Sequence, residues 1–282
     1  MASELEGVQK ALRELGKSLK SLPAAPPPEQ VHKLRTSTRR VEAITAALHL
    51  PDGKKSKHLI KSLVKSIEPL RKAAGGVRDM DVLAANIRKL RQSAPAESLA
   101  RLVDHLESAR ADEVRALRHA LDRERKDARH NLKKYTQKVQ SLSTVEIPTQ
   151  NGHTRNGHQR SGMNPTAKHL ARELAEWPAL NEHNIHAFRL KVKALRYILQ
   201  LDAHADPAFL AALGTAQRHI GDWHDWHQLA EIAHEFLESA QDRELLAQID
   251  DTTQQKLARA LAAAKSLRRQ FLRSTVMHIM GC

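Results

Sequence analysis

The sequence predicts an all-α fold built from two similar helical halves. Apolar residues recur at alternating spacings of three and four over residues 3–22, and other segments carry apolar residues on one helical face, which is the pattern of amphipathic helices. No segment shows the apolar–polar alternation of a β-strand. A basic helix motif and a Gly–Asp motif each occur twice in the same order, which indicates an internal duplication.

Five helices are predicted in the first half, over residues 3–22, 29–49, 54–73, 77–92 and 96–139. The first carries a leucine-rich seam and ends at a proline-rich segment, because proline cannot continue a helix. The third is expected to end at Gly75 and Gly76, since a glycine pair suits a helix C-cap. The fourth then begins at Val77, with Asp79 and Asp81 in its first turn.

The second half repeats this order, with helices predicted over 165–176, 182–202, 207–220, 221–240 and 242–276. Between the halves, residues 141–165 are rich in Ser, Thr, Asn, Gly and His and almost free of apolar side chains. This composition is typical of a flexible linker. The predicted organisation is therefore a first half over 1–140, a linker over 141–165 and a second half over 166–282.

The charge balance favours a polyanionic partner. Lys and Arg outnumber Asp and Glu by 46 to 32, for a net charge of +14 and a pI near 10.1. Such an excess attracts nucleic acid, an anionic membrane surface or a phosphate polymer. Aromatic residues are only 3% of the chain, which argues against the base-stacking surfaces of single-strand binders.

The cysteine content and the hydropathy of the sequence indicate where in the cell the protein is located. The single cysteine, Cys282, excludes an internal disulfide and a CxxC metal site. No apolar run is long enough to cross a membrane, and charged residues interrupt the N-terminal segment where a secretory signal needs an apolar core. We therefore expect a cytoplasmic protein without a membrane partner.

Two predicted helices each carry a row of cations headed by a histidine. Both motifs have the form H-x-x-R-x-x-x-[RK], so the members of a row share one helical face. Like charges at this spacing repel one another, which slightly destabilises a helix and suggests an anionic partner. Arg71, near the apolar stripe of the third helix, is a further candidate for the wall of such a site. The first row is His32, Arg35 and Arg39, and the second is His186, Arg189, Lys193 and Arg196.

The aspartates and tryptophans of the Gly–Asp motifs have two interpretations each. The carboxylates at 79, 81, 222 and 225 either hold a cation or act in acid–base catalysis, or they cap helices and orient nearby arginines. Trp223 and Trp226 fit core packing, with a stacking or metal site as the alternative. In both cases the structural interpretation is favoured.

Metal chemistry and catalysis find little support in the motifs. Neither His32 nor His186 has a second His or Cys at i+4 with which to share a metal, so we expect both to donate hydrogen bonds to an anion. No nucleophile–base pair, Walker loop or Rossmann glycine pattern is present. We therefore expect no catalytic activity and no cofactor.

The duplicated motifs give the chain a resemblance to the CHAD family, the conserved histidine α-helical domain. The family's basic helix and Gly-x-x-Arg-Asp-like turn are matched at 32–40 with 75–83, and at 186–197 with 221–229. The resemblance covers about residues 5–276. It implies two helical bundles related by a pseudo-twofold axis, with a basic channel between them that binds inorganic polyphosphate, and it adds Arg40, Arg78 and Tyr197 to the candidate binding residues. The copies differ at four places, where the pairs are Glu42 and Arg196, Arg40 and Ala194, Arg78 and His224, and Asp81 and His227.

Together these observations predict a non-catalytic protein that binds inorganic polyphosphate through a basic groove or channel. Cations one helical turn apart suit a linear polyanion without base edges, and guanidinium groups grip phosphate oxygens in a planar fork. Polyphosphate granules are a candidate cellular partner. The alternatives are a basic helical protein that binds nucleic acid and a metal-dependent polyphosphate-processing enzyme that uses Asp79 and Asp81. The predicted binding residues are His32, Arg35, Arg39, Arg40, Arg71, Arg78, His186, Arg189, Lys193, Arg196 and Tyr197.

Overall fold

The computed structural model describes residues 2–23, 25–47, 53–90, 95–143, 165–200 and 205–272. Throughout these ranges the regular structure is helical and no strand is present, so the predicted all-α class is confirmed. The helices are α1 (Ala2–Ser21), α2 (Pro28–Ala47), α3 (Gly53–Ile87), α4 (Ala96–Ser143), α5 (Pro165–Ala175), α6 (Ile185–Leu199), α7 (Pro207–Phe236) and α8 (Arg243–Leu267).

The predicted helix end at Gly75–Gly76 is wrong, because α3 continues through both glycines as one helix of 35 residues. A helix C-cap needs a glycine with positive φ, and among the described residues only Gly53 has one, at 38°. The glycine pair instead allows close packing. A Cβ atom on Gly75 would lie 3.8 Å from Arg35 Nε, and one on Gly76 would overlap the Glu113 carboxylate.

The same correction applies in the second half, where the predicted helices over 207–220 and 221–240 form the single helix α7. A Cβ atom on Gly221 would lie 3.0 Å from Arg189 Nη2, which is tighter than ordinary contact. In each half the glycine therefore makes room for an arginine of the preceding basic helix, α2 or α6.

Apolar side chains form a core in each half and a third core between them. The first core lies within α1 to α4 and includes Leu34 and Tyr135. The second lies within α5 to α8 and the turn that follows, and includes Phe188 and Trp223. The third joins the ends of α3 and α7 to the beginnings of α4 and α8 around Trp226. Both tryptophans are only 3% exposed, which confirms the core-packing interpretation.

A buried polar contact also links the halves. The side chain of Asp242 is fully buried, accepts a hydrogen bond from Ser98 Oγ at 2.6 Å and lies 3.4 Å from Arg101 Nη1. Ser98 and Arg101 belong to the first half, whereas Asp242 precedes α8. Because a buried carboxylate must be hydrogen-bonded, this contact holds α4 and α8 in one relative position.

The two basic helices meet at the centre of the molecule, where α2 contacts α6 and α3 contacts α7. Equivalent helices of the two predicted repeats are thus paired across the interface, while the pseudo-twofold relation itself stays a prediction. Of the predicted linker, 144–164 lies outside the described residues. Its first three positions end α4 and Pro165 begins α5.

Candidate anion-binding site

Five cations gather where α2, α3 and α6 come together, and we call them the central cluster: Arg35, Arg39, Arg71, Arg189 and Lys193. One helical turn separates Arg35 from Arg39 on α2, and Arg189 from Lys193 on α6. Burial is the main cause that lowers the pKa of Arg39, and the nearby charges of Arg35, Arg71 and Arg189 lower it further. The predicted rows therefore face one another.

Lys193 is the most perturbed member of the central cluster. Its residue surface is only 9% exposed, and its Nζ lies 5.9 Å from the centre of the Tyr197 ring. Burial lowers the pKa of this amine from 10.5 to about 7, and the four arginines of the cluster add to the effect. Among the ion pairs of the described residues, none joins Lys193 to a carboxylate.

Two partly buried carboxylates, one from each half, lie beside the cluster. Asp79 on α3 is 3.4 Å from Arg35 Nη2, and burial raises its pKa although the nearby arginines oppose the shift. Burial likewise raises the pKa of Asp225 on α7 to about 6, against the attraction of Arg189. Glu42 also pairs with Arg71 at 2.8 Å. The members of the central cluster that have no ion pair among the described residues are therefore Arg39, Arg189 and Lys193.

Several buried N–H groups beside the cluster have no hydrogen-bond acceptor in the described structure. They include Arg35 Nε, Arg39 Nε and Arg196 Nε, and the ring atom Nδ1 of His186 is also unpartnered. A buried donor without an acceptor costs roughly 1–3 kcal/mol. Oxygen atoms of a bound anion would relieve this cost, because they supply both charge and acceptors.

The two motif histidines lie in different environments. His32 is exposed, and its pKa is lowered by partial burial and by Arg78 and Arg35. The ring of His186 lies 4.2 Å from that of His224, and burial lowers the pKa of His186. Burial, followed by His186 and Arg189, lowers the pKa of His224 to about 4. The second half therefore has a neutral histidine pair where the first half has His32 and a permanent cation.

The remaining predicted residues lie around the cluster or apart from it. Arg78 and His32 line a cleft of about 820 Å³ at the beginning of α2. Arg196 lies beyond Lys193 on α6, where Nη1 donates to Gln217 Oε1 at 3.2 Å. Arg40 is exposed and pairs with Glu14 of α1 at 2.8 Å. It therefore faces away from the cluster that its neighbour Arg39 joins.

The aspartates of the first Gly–Asp motif orient arginines, as the structural interpretation predicted, but the capping part of that prediction is wrong in both halves, because all four aspartates lie inside continuous helices. Asp79 lies within ion-pair distance of Arg35 and Asp81 accepts from Arg110 Nε at 2.6 Å, and both sit inside the continuous α3. Sequence reasoning missed the roles of Glu42 and Gln217 as arginine partners. The mismatch of Glu42 with Arg196 between the two motif copies was the available signal.

No group of three potential metal ligands occurs in the part of the chain that the structure describes. Nor is any helix within those ranges long and apolar enough to span a membrane. The structure thus supplies a cationic site formed by both halves, without a cluster of ligands for a metal ion among the described residues.

Comparisons with known proteins agree on the family. The sequence model of the CHAD domain family matches residues 6–234 of this chain. Among solved structures, the chain is similar to the crystal structure of the CHAD domain from the plant Ricinus communis, with a TM-score of 0.59 and 18% sequence identity over 95% of this chain and 89% of that one. No curated protein gives a significant sequence match. The chain belongs to the CHAD domain family.

Proposed function

We propose that this CHAD-domain protein binds inorganic polyphosphate at the central cluster and does not catalyse a reaction on it. The family is associated with polyphosphate in general. The observation that carries the proposal for this chain is Lys193, a nearly buried amine surrounded by four arginines and paired with no carboxylate of the described residues. A bound anion would stabilise such a site, because unpaired buried charge is unfavourable.

The spacing of the cations suits a linear polymer of phosphates. Arg35 and Arg39 are four residues apart, a rise of about 6 Å along α2, and the same interval separates Arg189 from Lys193 on α6. A polyphosphate chain offers an oxygen-rich unit at every repeat and no base edges, so regular cations recognise it without a hydrogen-bond code. Arginine forks bind phosphate oxygens in pairs, and Lys193 supplies a compact point charge.

The histidines at the beginning of α2 and α6 serve as additional donors in this proposal. His32 and His186 each precede a row of cations, and both rings are held neutral by lowered pKa values in the free protein. A bound polyanion raises the pKa of a nearby imidazole. Each ring therefore gains a proton and a second donor when phosphate arrives.

Nucleic acid is the competing ligand for a protein of this charge. Stacking platforms for bases need exposed aromatic rings, whereas Trp223, Trp226 and Phe188 are buried in the cores. A metal-dependent processing enzyme would need Asp79 and Asp81 to share an ion. Those carboxylates are directed at two different arginines, Arg35 and Arg110, so the arrangement favours a binding protein.

Loss of Arg35 or Arg189 tests the proposal directly. Arg35→Ala and Arg189→Ala should each weaken binding of long-chain polyphosphate by about 1–3 kcal/mol, which is the cost of a charge-assisted contact. Arg40→Ala is the matched control, because Arg40 lies on the same helix but pairs with Glu14. Isothermal titration should show a loss in both site variants and wild-type affinity in the control. Equal affinities in all three variants would contradict the proposal.

Inside the cell we propose that the protein is cytoplasmic and associates with polyphosphate granules. The expectation rests on the basic charge of the chain and on the central cluster. A fluorescent fusion should colocalise with polyphosphate stain, and the Arg35→Ala/Arg189→Ala variant should be diffuse. Colocalisation that survives this double change would rule out the central cluster as the granule contact.

A further inference from the structure

We propose that the pocket between α6 and α7 is a second anion subsite, which holds a phosphate group of a polyphosphate chain that extends beyond the central cluster. The inference rests on the proposed function, because it adds a place for more of the same ligand. It concerns Arg196 and Arg218, which lie at the opposite end of α6 from His186.

The pocket is small and carries two cations. Its volume is about 400 Å³, and its polar lining comes from Arg196, Thr215, Gln217 and Arg218. The Arg196 guanidinium lies flat against Gly214, at 3.6 Å from the position of a Cβ atom there. Arg218 Nη2 donates to Thr215 Oγ1 at 3.3 Å. Among the residues that the structure describes, no carboxylate lines this pocket.

The equivalent surface of the first half is neutral. The duplicated motifs align the two halves residue by residue. When His32 is aligned with His186, Glu42 corresponds to Arg196. When Gly75 is aligned with Gly221, Lys72 corresponds to Arg218. In the first half Glu42 pairs with Arg71 at 2.8 Å, and Glu68 pairs with Lys72 at 2.8 Å. Both cations there have a glutamate partner.

In the second half, the positions equivalent to these two glutamates hold other residues. Gly214 stands where the first half has Glu68, and Arg196 itself stands where it has Glu42. The partner of Arg196 is the neutral amide of Gln217, which does not offset the positive charge of the guanidinium. Its Nε is buried without an acceptor. Within the described ranges, this contact between a basic helix and its neighbour thus leaves Arg196 and Arg218 without a carboxylate partner, whereas Arg71 and Lys72 in the first half are each paired with a glutamate.

The position of the pocket sets which anions can use it. Arg196 is seven residues beyond Arg189 on α6, a rise of about 10.5 Å along the helix axis. Pyrophosphate, with a single P–O–P link, is too short to contact Arg189 and the pocket together. A long chain that occupies the central cluster can continue past Lys193 and place a phosphate between the two guanidiniums. The subsite therefore adds affinity for long chains alone, and it makes the binding path asymmetric between the halves.

The test compares two double variants that remove equal charge. Arg196→Gln/Arg218→Gln removes the cations of the pocket, and Lys72→Gln/Lys191→Gln removes two cations that are each paired with a glutamate. Isothermal titration with long-chain polyphosphate and with pyrophosphate at one salt concentration should show about a tenfold loss for long chains in the pocket variant. Pyrophosphate affinity should match the wild type in both variants.

Gly214→Glu provides a test in which no cation is lost. The change installs the glutamate of the first half four residues before Arg218, and it raises helix propensity at that position. It should weaken long-chain binding as the pocket variant does, while circular dichroism shows an intact helical fold.

The possible outcomes separate the two proposals. If the wild-type protein binds no polyphosphate, the proposed function fails and the subsite fails with it. If the wild type binds and the two double variants lose long-chain affinity equally, net charge alone acts and the subsite is wrong. A loss of pyrophosphate affinity in the pocket variant would likewise overturn the subsite, since the pocket would then belong to the central cluster.

Discussion

Replacement of Lys193 by methionine should stabilise the free protein and weaken its binding. The folded protein lowers the pKa of this amine from 10.5 to about 7. One pKa unit corresponds to about 1.4 kcal/mol, so the protonated lysine is disfavoured on the order of 4 kcal/mol in the folded state at pH 7. Methionine keeps a similar volume without the charge. After loss of the Tyr197 cation–π contact, worth about 1 kcal/mol, we expect a net gain of about 3 kcal/mol.

The pH dependence of stability has a definite sign. The unfolded chain keeps the proton of Lys193 up to pH 10.5, whereas the folded chain releases it near pH 7. Because the unfolded state holds more protons in this window, the free energy of unfolding contributed by Lys193 rises as pH increases from 7 to 10.5. Lys193→Met should remove that part of the slope.

Urea unfolding of the free protein between pH 7 and pH 10 measures both effects. The wild type should gain stability with pH, and Lys193→Met should start higher at pH 7 and show a smaller slope. Lys193→Arg serves as the control that keeps the charge. A methionine variant that is less stable than the wild type at pH 7 would refute the reasoning, because Lys193 would then contribute favourably to the free fold.

Three further predictions concern protons, packing and metal. Burial lowers the pKa of His186 and lowers that of His224 to about 4. Because a bound polyanion raises both pKa values, polyphosphate affinity should increase as pH falls from 7 toward 4. The double variant His186→Gln/His224→Gln should show a flatter dependence of affinity on pH. Gly221→Ala should displace Arg189, because Arg189 Nη2 would lie 3.0 Å from the new Cβ atom. Polyphosphate affinity should fall about tenfold while circular dichroism shows an intact helical fold. Unchanged affinity would count against the position assigned to Arg189. Treatment with a chelator should leave affinity unchanged, and stoichiometric metal in elemental analysis together with lost binding would support a metal site instead.

The helical periodicity and the duplicated motifs were enough to predict the class and most of the central cluster. The spacing of apolar residues located most of the helices, since the buried stripe must follow the helical repeat, but it divided α3 and α7 into two helices each. The rows headed by His32 and His186 placed Arg35, Arg39, Arg189 and Lys193 on shared faces, and these four do meet in the structure.

Local sequence could not reveal that α3 and α7 are each continuous. A glycine pair has the same local signature whether it ends a helix or permits close packing, and the difference lies in a side chain from another helix. Arg35 approaches Gly75, and Arg189 approaches Gly221. These contacts are tertiary, so only the packing of α2 on α3 and of α6 on α7 decides between the alternatives.

Charge compensation was equally hidden from the one-dimensional pattern. Arg39 and Arg40 are neighbours in the same motif, yet Arg40 pairs with Glu14 of α1 while Arg39 joins the cluster. The partner of Arg71, Glu42, lies on a different helix. Which cations remain free for a ligand therefore depends on long-range ion pairs that spacing along one helix does not encode.

Competition between polyphosphate and nucleic acid tests the central claim most directly. Labelled long-chain polyphosphate bound to the intact protein is displaced by unlabelled polyphosphate, RNA or DNA at matched phosphate concentration and at several salt concentrations. The account predicts that polyphosphate displaces the label at far lower concentration than either nucleic acid, and that its affinity falls steeply as salt rises, by analogy with counterion release from nucleic acids. Equal or better displacement by RNA or DNA, or an affinity for polyphosphate that does not change with salt, would contradict it.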